Sequence, residues 1–139
     1  AHFHGGGAVL LILRSQGYSL MWPNHLGTQP YENGFGDQVV RIDWQPGSVF
    51  CPPTHWFHQH FNTGPEQALQ LALRCGSQKF PLGIRVAAIR AGVYTSVKQG
   101  GTLIEYEDED PSIRQTYEAE LARKGIAPDM NYAAAANDD

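Results

Sequence analysis

The sequence predicts an all-β domain, a closed antiparallel barrel or sandwich of short strands, with one helix near its C-terminus. Three observations carry this. Apolar and polar residues alternate at period two in several short runs. Those runs are punctuated by 15 glycines and 9 prolines in 139 residues. Only the stretch 111–124 repeats its apolar residues at helical spacing.

The elements follow in order. Ala8 to Leu13 is the longest clean apolar run and reads as a buried or half-buried strand. Arg14-Ser-Gln-Gly17 then turns the chain, and Tyr18 to Trp22 is predicted to return as the second arm of an antiparallel hairpin. Residues 23–37, rich in proline, asparagine and glycine, form a long loop of the kind that often carries function. Gln38 to Trp44 alternates, with Val39, Arg41 and Asp43 on one face and Val40, Ile42 and Trp44 on the other. A Gln45-Pro-Gly-Ser48 turn leads to a short strand, Val49 to Cys51, ended by Pro52-Pro53.

Trp56 to Asn62 is the most patterned strand. His58, His60 and Asn62 share one face; Phe57, Gln59 and Phe61 share the other. After Thr63-Gly-Pro65, Ala68 to Leu73 is expected to pair with it as a hairpin return, although the composition of Glu66 to Arg74 also favours a helix. Ile84 to Ile89 reads as a strand or a helical turn, and Leu103 to Tyr106 as a short edge strand. In the helix, Asp110 is the N-cap, Pro111 takes the first position, and Ile113, Tyr117 and Leu121 make one apolar stripe. Arg123 and Lys124 suit the last turn and Gly125 the position beyond it. The division is a barrel over 1–106, then an acidic loop, the helix and a frayed tail over 107–139. With only six or seven strands and an abrupt start, the barrel is expected to lack N-terminal strands. A missing segment of the same protein or a second copy would then cover its edge.

Charge narrows the function classes. The net charge is −4, which disfavours a surface that tracks nucleic-acid phosphates. Residues 1–103 carry seven basic and four acidic groups, and residues 104–139 three and ten. No apolar run approaches a membrane span. Two cysteines, Cys51 and Cys75, make no disulfide framework and fit reduced thiols in a cytoplasmic setting.

Five of six histidines fall in two clusters: His2 with His4, and His55 with His58 and His60. On extended backbone, residues two apart project the same way, so each same-face pair can aim two imidazoles at one point. Three or four such groups on rigid strands suit a first-row metal ion. The plainer readings are a chelating or disordered terminus for His2 and His4, and hydrogen-bonded core histidines for His58 and His60. His55 is a candidate fourth ligand in a loop; His25 reads as a surface residue. Trp22, Trp44, Trp56, Phe57 and Phe61 wall either a pocket or the core. Cys51 reads as a buried inert thiol. Glu105 to Asp110 reads as a solvated acidic cap, since it lacks the glycine turn and later glutamate of a calcium loop.

The stretch 47–62, GSVFCPPTHWFHQHFN, resembles the second motif of the cupin superfamily, with Gly47, Pro53, His58 and Asn62 in register and His55 in place of the second glycine. His2-Phe-His4, followed by hydrophobic residues and Gly17, resembles the first motif, but Ala8 or Val9 stands where a ligating glutamate is usual. The pattern is similar to that of gentisate dioxygenase-like cupins, which bind Fe(II) with three histidines. This resemblance implies a double-stranded β-helix (jelly-roll barrel) and a metal site of His2, His4 and His58, holding Fe(II) or else Mn, Zn or Ni. It also implies an oxygenase-like reaction on a small organic substrate, with an aromatic acid as one candidate. His60 is then expected to act as an acid–base group or lie behind the ligands, Asn62 to steady a ligand or the loop, and an arginine to pair with a substrate carboxylate. Of Arg14, Arg41, Arg74 and Arg85, Arg41 is favoured because it lies in a strand among aromatic neighbours. A cupin isomerase or lyase with another metal, and a non-catalytic ligand-binding cupin, are the alternatives. Cupins usually dimerise, so a homo-oligomer is expected.

Overall fold

The computed structural model describes residues 1–5, 7–74 and 94–128. Ile84 to Ile89, Arg85, Cys75 and the tail from Tyr132 lie outside the described residues. In order, the strands are β1 (Ala8–Arg14), β2 (Gly17–Pro23), β3 (Val40–Trp44), β4 (Val49–Phe50), β5 (Trp56–Asn62) and β6 (Leu69–Arg74), and the helix is α1 (Pro111–Arg123). The strands form two antiparallel three-stranded sheets, ordered β4-β1-β6 and β3-β2-β5. The all-β class with a C-terminal helix is therefore as expected. Residues 69–74 are strand, not helix.

Both expected hairpins are absent. β1 pairs with β4 and β6, while β2 pairs with β3 and β5. The link between β1 and β2 crosses from one sheet to the other, with Ser15 at a φ of 71°. Gly17 begins β2 so close to the Phe61 carbonyl and the Trp44 ring that no side chain fits there. β5 and β6 likewise fall in different sheets. Alternation tells which face of a strand is apolar; it does not tell which strand lies beside it.

β2 is buried on both faces along nearly its whole length. On one face, Tyr18, Leu20 and Trp22 join Phe57, Phe61, Ile104 and the helical stripe of Ile113, Tyr117 and Leu121. On the other, Met21 joins Leu10, Ile12, Trp44 and Phe50 between the sheets. The order of layers is thus helix, sheet, sheet. Burying each stripe side chain is worth about 1.5–3 kcal/mol against about 1 kcal/mol for the cap, so packing holds α1 on its own sheet.

The cap has a second task. Asp110 is fully buried; one carboxylate oxygen accepts from Ser112 N at 3.0 Å. The other accepts from Tyr31 N at 2.7 Å and Glu32 N at 3.0 Å, pinning the long loop after β2. Gly125, at a φ of 67°, closes the helix as Gly125 N donates to Ala122 O and Ile126 N to Leu121 O.

The N-terminal residues extend the β3-β2-β5 sheet. His2 bridges His58 on one side and Leu103 on the other, Phe3 N donates to Thr102 O, and Ile104 N donates to Ala1 O. The edge strand expected over Leu103–Tyr106 shrinks to that bridge, because the chain turns into a short 3-10 segment at Tyr106–Asp108.

Replacing Asp110 with alanine removes the cap and leaves two loop N–H groups unpaired. The expected loss is about 3 kcal/mol, read as a lower urea midpoint at unchanged m-value; a loss under about 1 kcal/mol would show that the loop is held by other contacts.

Candidate metal centre

His2, His4 and His58 meet. Their ligand-capable nitrogens all lie within 4.8 Å of one another, with ring centroids 5.7 Å apart for His2–His4, 4.6 Å for His2–His58 and 4.9 Å for His4–His58. Two segments far apart in sequence supply them, and backbone pairing brings those segments together. His2 N donates to His58 O at 3.3 Å, His58 N donates to His2 O at 2.9 Å, and His55 N donates to His4 O at 3.1 Å. On β5 the even residues face the other sheet, as His58 pairs with core Met21 and His60 with Ser19. The odd residues Phe57 and Phe61 face the helix.

The donor chemistry suits a metal. A ligating imidazole must be neutral. Burial, with the neighbouring imidazoles, pushes the His2 pKa down to about 4. At His58 burial outweighs the help of the Trp56 carbonyl and gives about 3. That carbonyl lies 3.0 Å from His58 Nδ1. With the proton on Nδ1, the Nε2 lone pair is left for an ion.

His60 stands just outside this group, its ring 5.8 Å from His58 and 5.9 Å from Phe50. Its Nδ1 lies 2.7 Å from Ser19 Oγ, which also accepts from Trp44 Nε1 at 3.1 Å. Burial, then the charge of Arg74, lowers its pKa to about 4.

The other expected site residues go elsewhere. Arg41 lies on the helix side of β3, pairs with Leu20, and stacks 3.9 Å above the Tyr18 ring. It forms ion pairs with Asp43 at 2.7 Å and with Glu120 of α1. A guanidinium so committed, with a sheet between it and the histidines, braces β3 against the helix. Arg74, exposed at the end of β6, pairs with Ala8, which is buried between the sheets, so it stands on the same face of its sheet, and its charge reaches both His2 and His60. Asn62 holds no histidine: it accepts from Ser15 Oγ at 2.8 Å and Gly64 N at 3.1 Å and donates to Glu66 O at 2.7 Å. It ties the loop that leaves β5, one of the two tasks expected of it.

His55 turns away, exposed, its ring 6.2 Å from Phe3. Cys51 is exposed, not buried. Lys98 neutralises the acidic loop through Glu107 at 2.9 Å and Asp108 at 2.8 Å. Ser19 went unnoticed in the sequence; a polar residue in the middle of an otherwise apolar strand was its one signal.

Fold and site together define an all-β chain with a group of three histidines that can hold a metal ion. Among the described residues, no helix is long and apolar enough to cross a membrane. Comparison with protein-family models, with curated proteins and with solved structures gives no match.

The lowered histidine pKa values set a sign for acid sensitivity. An unfolded imidazole takes up its proton near 6.5, whereas folded His2 and His60 wait until about 4 and His58 until about 3. Between those values the unfolded chain binds more protons, so stability is full above pH 6.5 and falls as pH drops toward 4. Thermal unfolding of the metal-free chain should show this fall, with a shallower slope in His58→Gln. A midpoint flat from pH 7 to pH 4 would contradict the buried, neutral assignment.

Proposed function

We propose that this chain is a cupin-type mononuclear non-haem metal protein, most simply an Fe(II)-dependent, oxygenase-like enzyme acting on a small organic substrate such as an aromatic acid. The observation that carries this reading is the convergence of His2 and His4 with His58, imidazoles from two segments about fifty residues apart. Two backbone details support the cupin resemblance. Gly47 and His55, at the positions of the second motif's glycines, have φ values of 89° and 62°, the left-handed region for which glycine is the usual choice. The repeated crossing of successive strands between two sheets supports a double-stranded β-helix.

A divalent ion held by His2, His4 and His58 would supply a Lewis acid and, if iron, one-electron redox chemistry. The chain's own groups set the rest. Three protein donors leave coordination positions for a substrate. Arg74, at the end of β6, would attract a carboxylate toward the histidines. His60, anchored through Nδ1, offers its remaining nitrogen beside the group. Phe50, packed near His60, would limit water on that side. A reducing cytoplasmic setting would keep Cys51 and Fe(II) reduced. A homo-oligomer would bury the exposed outer row of Leu69, Leu71 and Leu73.

One observation favours a non-catalytic ligand-binding cupin instead. Arg41, the residue expected to pair with a substrate carboxylate, is engaged in ion pairs within the fold.

Anaerobic titration of the full chain with Fe(II) tests the metal site, with one ion bound and affinity falling at least about 100-fold in His58→Gln. Oxygen uptake on adding gentisate or a related aromatic acid is the expected sign of catalysis. Metal binding without uptake favours a cupin isomerase or lyase, no metal binding favours the ligand-binding cupin, and unchanged affinity in His58→Gln refutes the centre.

A further inference from the structure

The contact between Ser19 and His60 has a direction. Ser19 is fully buried on β2, and its Oγ meets two groups: Trp44 Nε1 at 3.1 Å and His60 Nδ1 at 2.7 Å. An indole N–H only donates, so the serine oxygen accepts that bond. The serine's own proton then calls for an acceptor, because a buried hydroxyl left without one costs stability. Among the described residues, His60 Nδ1 is the acceptor in reach. Were Nδ1 protonated instead, the serine oxygen would receive two donors and its own hydrogen would have no partner.

From this geometry we infer that Ser19 is a positioning residue: its hydroxyl donates to His60 Nδ1 and holds the imidazole proton on Nε2. This rests on the reading of His2, His4 and His58 as the metal group and deepens it. With the proton on Nε2, His60 is neither a fourth ligand nor a base through that atom. It is a hydrogen-bond donor beside the centre, suited to an oxygen with a free lone pair, such as a carboxylate or phenolate oxygen of a bound organic anion. Arg74, at the end of β6, is a second donor of the same preference.

The test is long-range proton–nitrogen NMR of the metal-free full chain labelled in its histidine nitrogens, at neutral pH, with His60 signals identified by their loss in His60→Gln. The expected pattern for His60 is a protonated Nε2 and an accepting Nδ1. Ser19→Ala should mix or reverse that pattern, and Ser19→Thr, which keeps the hydroxyl, should restore it. A protonated Nδ1 in the wild-type chain overturns the inference, as does an unchanged pattern in folded Ser19→Ala. The wild-type spectrum decides the tautomer even where Ser19→Ala fails to fold.

Zinc titration supplies the second measurement. His60→Gln should bind zinc within about threefold of wild type, while His58→Gln loses at least about 100-fold. Equal losses in the two variants would make His60 a ligand and overturn the donor assignment. Failure of the wild-type chain to bind zinc would remove the metal reading alone, since the tautomer is read without metal.

Discussion

The pair of backbone hydrogen bonds between His2 and His58 is the constraint on which the site depends. It lays the segment that carries two of the three imidazoles alongside β5, and the bond from His55 N to His4 O continues the contact. With it, the side chains of His2 and His58 stand on neighbouring strands, and His4 follows two residues along on the same face. The segment is held from both sides. Its other edge pairs with Thr102 and Ile104, so little of its backbone is left to water. Pairing on both edges is how so short a segment acquires the rigidity that a ligand set requires. It also explains the electrostatics. Imidazoles packed this closely and this deeply resist protonation, because each added charge would be poorly solvated and would repel its neighbours.

The register of β5 ties this face to the opposite one. A one-residue slip would carry His58 and His60 into the helix-side core and expose Phe57 and Phe61 between the sheets. The helix guards against that slip. Tyr117 OH donates to Asn62 O at 3.0 Å, and Lys124 Nζ donates to Thr63 at both its carbonyl and its hydroxyl oxygen. Both contacts grip the end of β5. Arg41 adds a brace from β3 to Glu120 of the same helix. Arg41, favoured from the sequence as a substrate-pairing group, thus serves the histidine face indirectly, by bracing the sheet that presents it.

What the sequence made legible follows from the range of each signal. Period-two alternation located the strands, put His58 and His60 on one face, and separated them from Phe57 and Phe61, because that pattern is local and fixed by the backbone. The Asp110 cap and the Ile113-Tyr117-Leu121 stripe were readable for the same reason. Strand partners were not: β1 beside β6 and β2 beside β5 are long-range choices, and a short link such as Ser15-Gln16 suits a hairpin and a crossover equally well. The ion pairs of Arg41 were not readable, because aromatic neighbours mark a packed guanidinium as readily as a binding one. Arg74 could be singled out only once Ala8 was known to face inward beside it.

His55 shows how a departure from a motif can keep the motif's backbone task. A histidine at a φ of 62° sits in a region that non-glycine residues enter uncommonly, though histidine tolerates it better than most. The turn it makes is used twice. Its N–H donates to His4 O at 3.1 Å, and its carbonyl accepts from Asn24 N at 3.3 Å. The first bond helps to hold His4 among the ligands; the second ties the turn to the loop after β2. The imidazole itself points away, exposed beside Phe3, so the backbone conformation, and not the ring, is what this position contributes. A glycine could adopt the same angles with less strain, while a β-branched residue would distort the turn and loosen His4. A histidine whose ring stays outside the group thus helps, through its backbone, to place His4 within it.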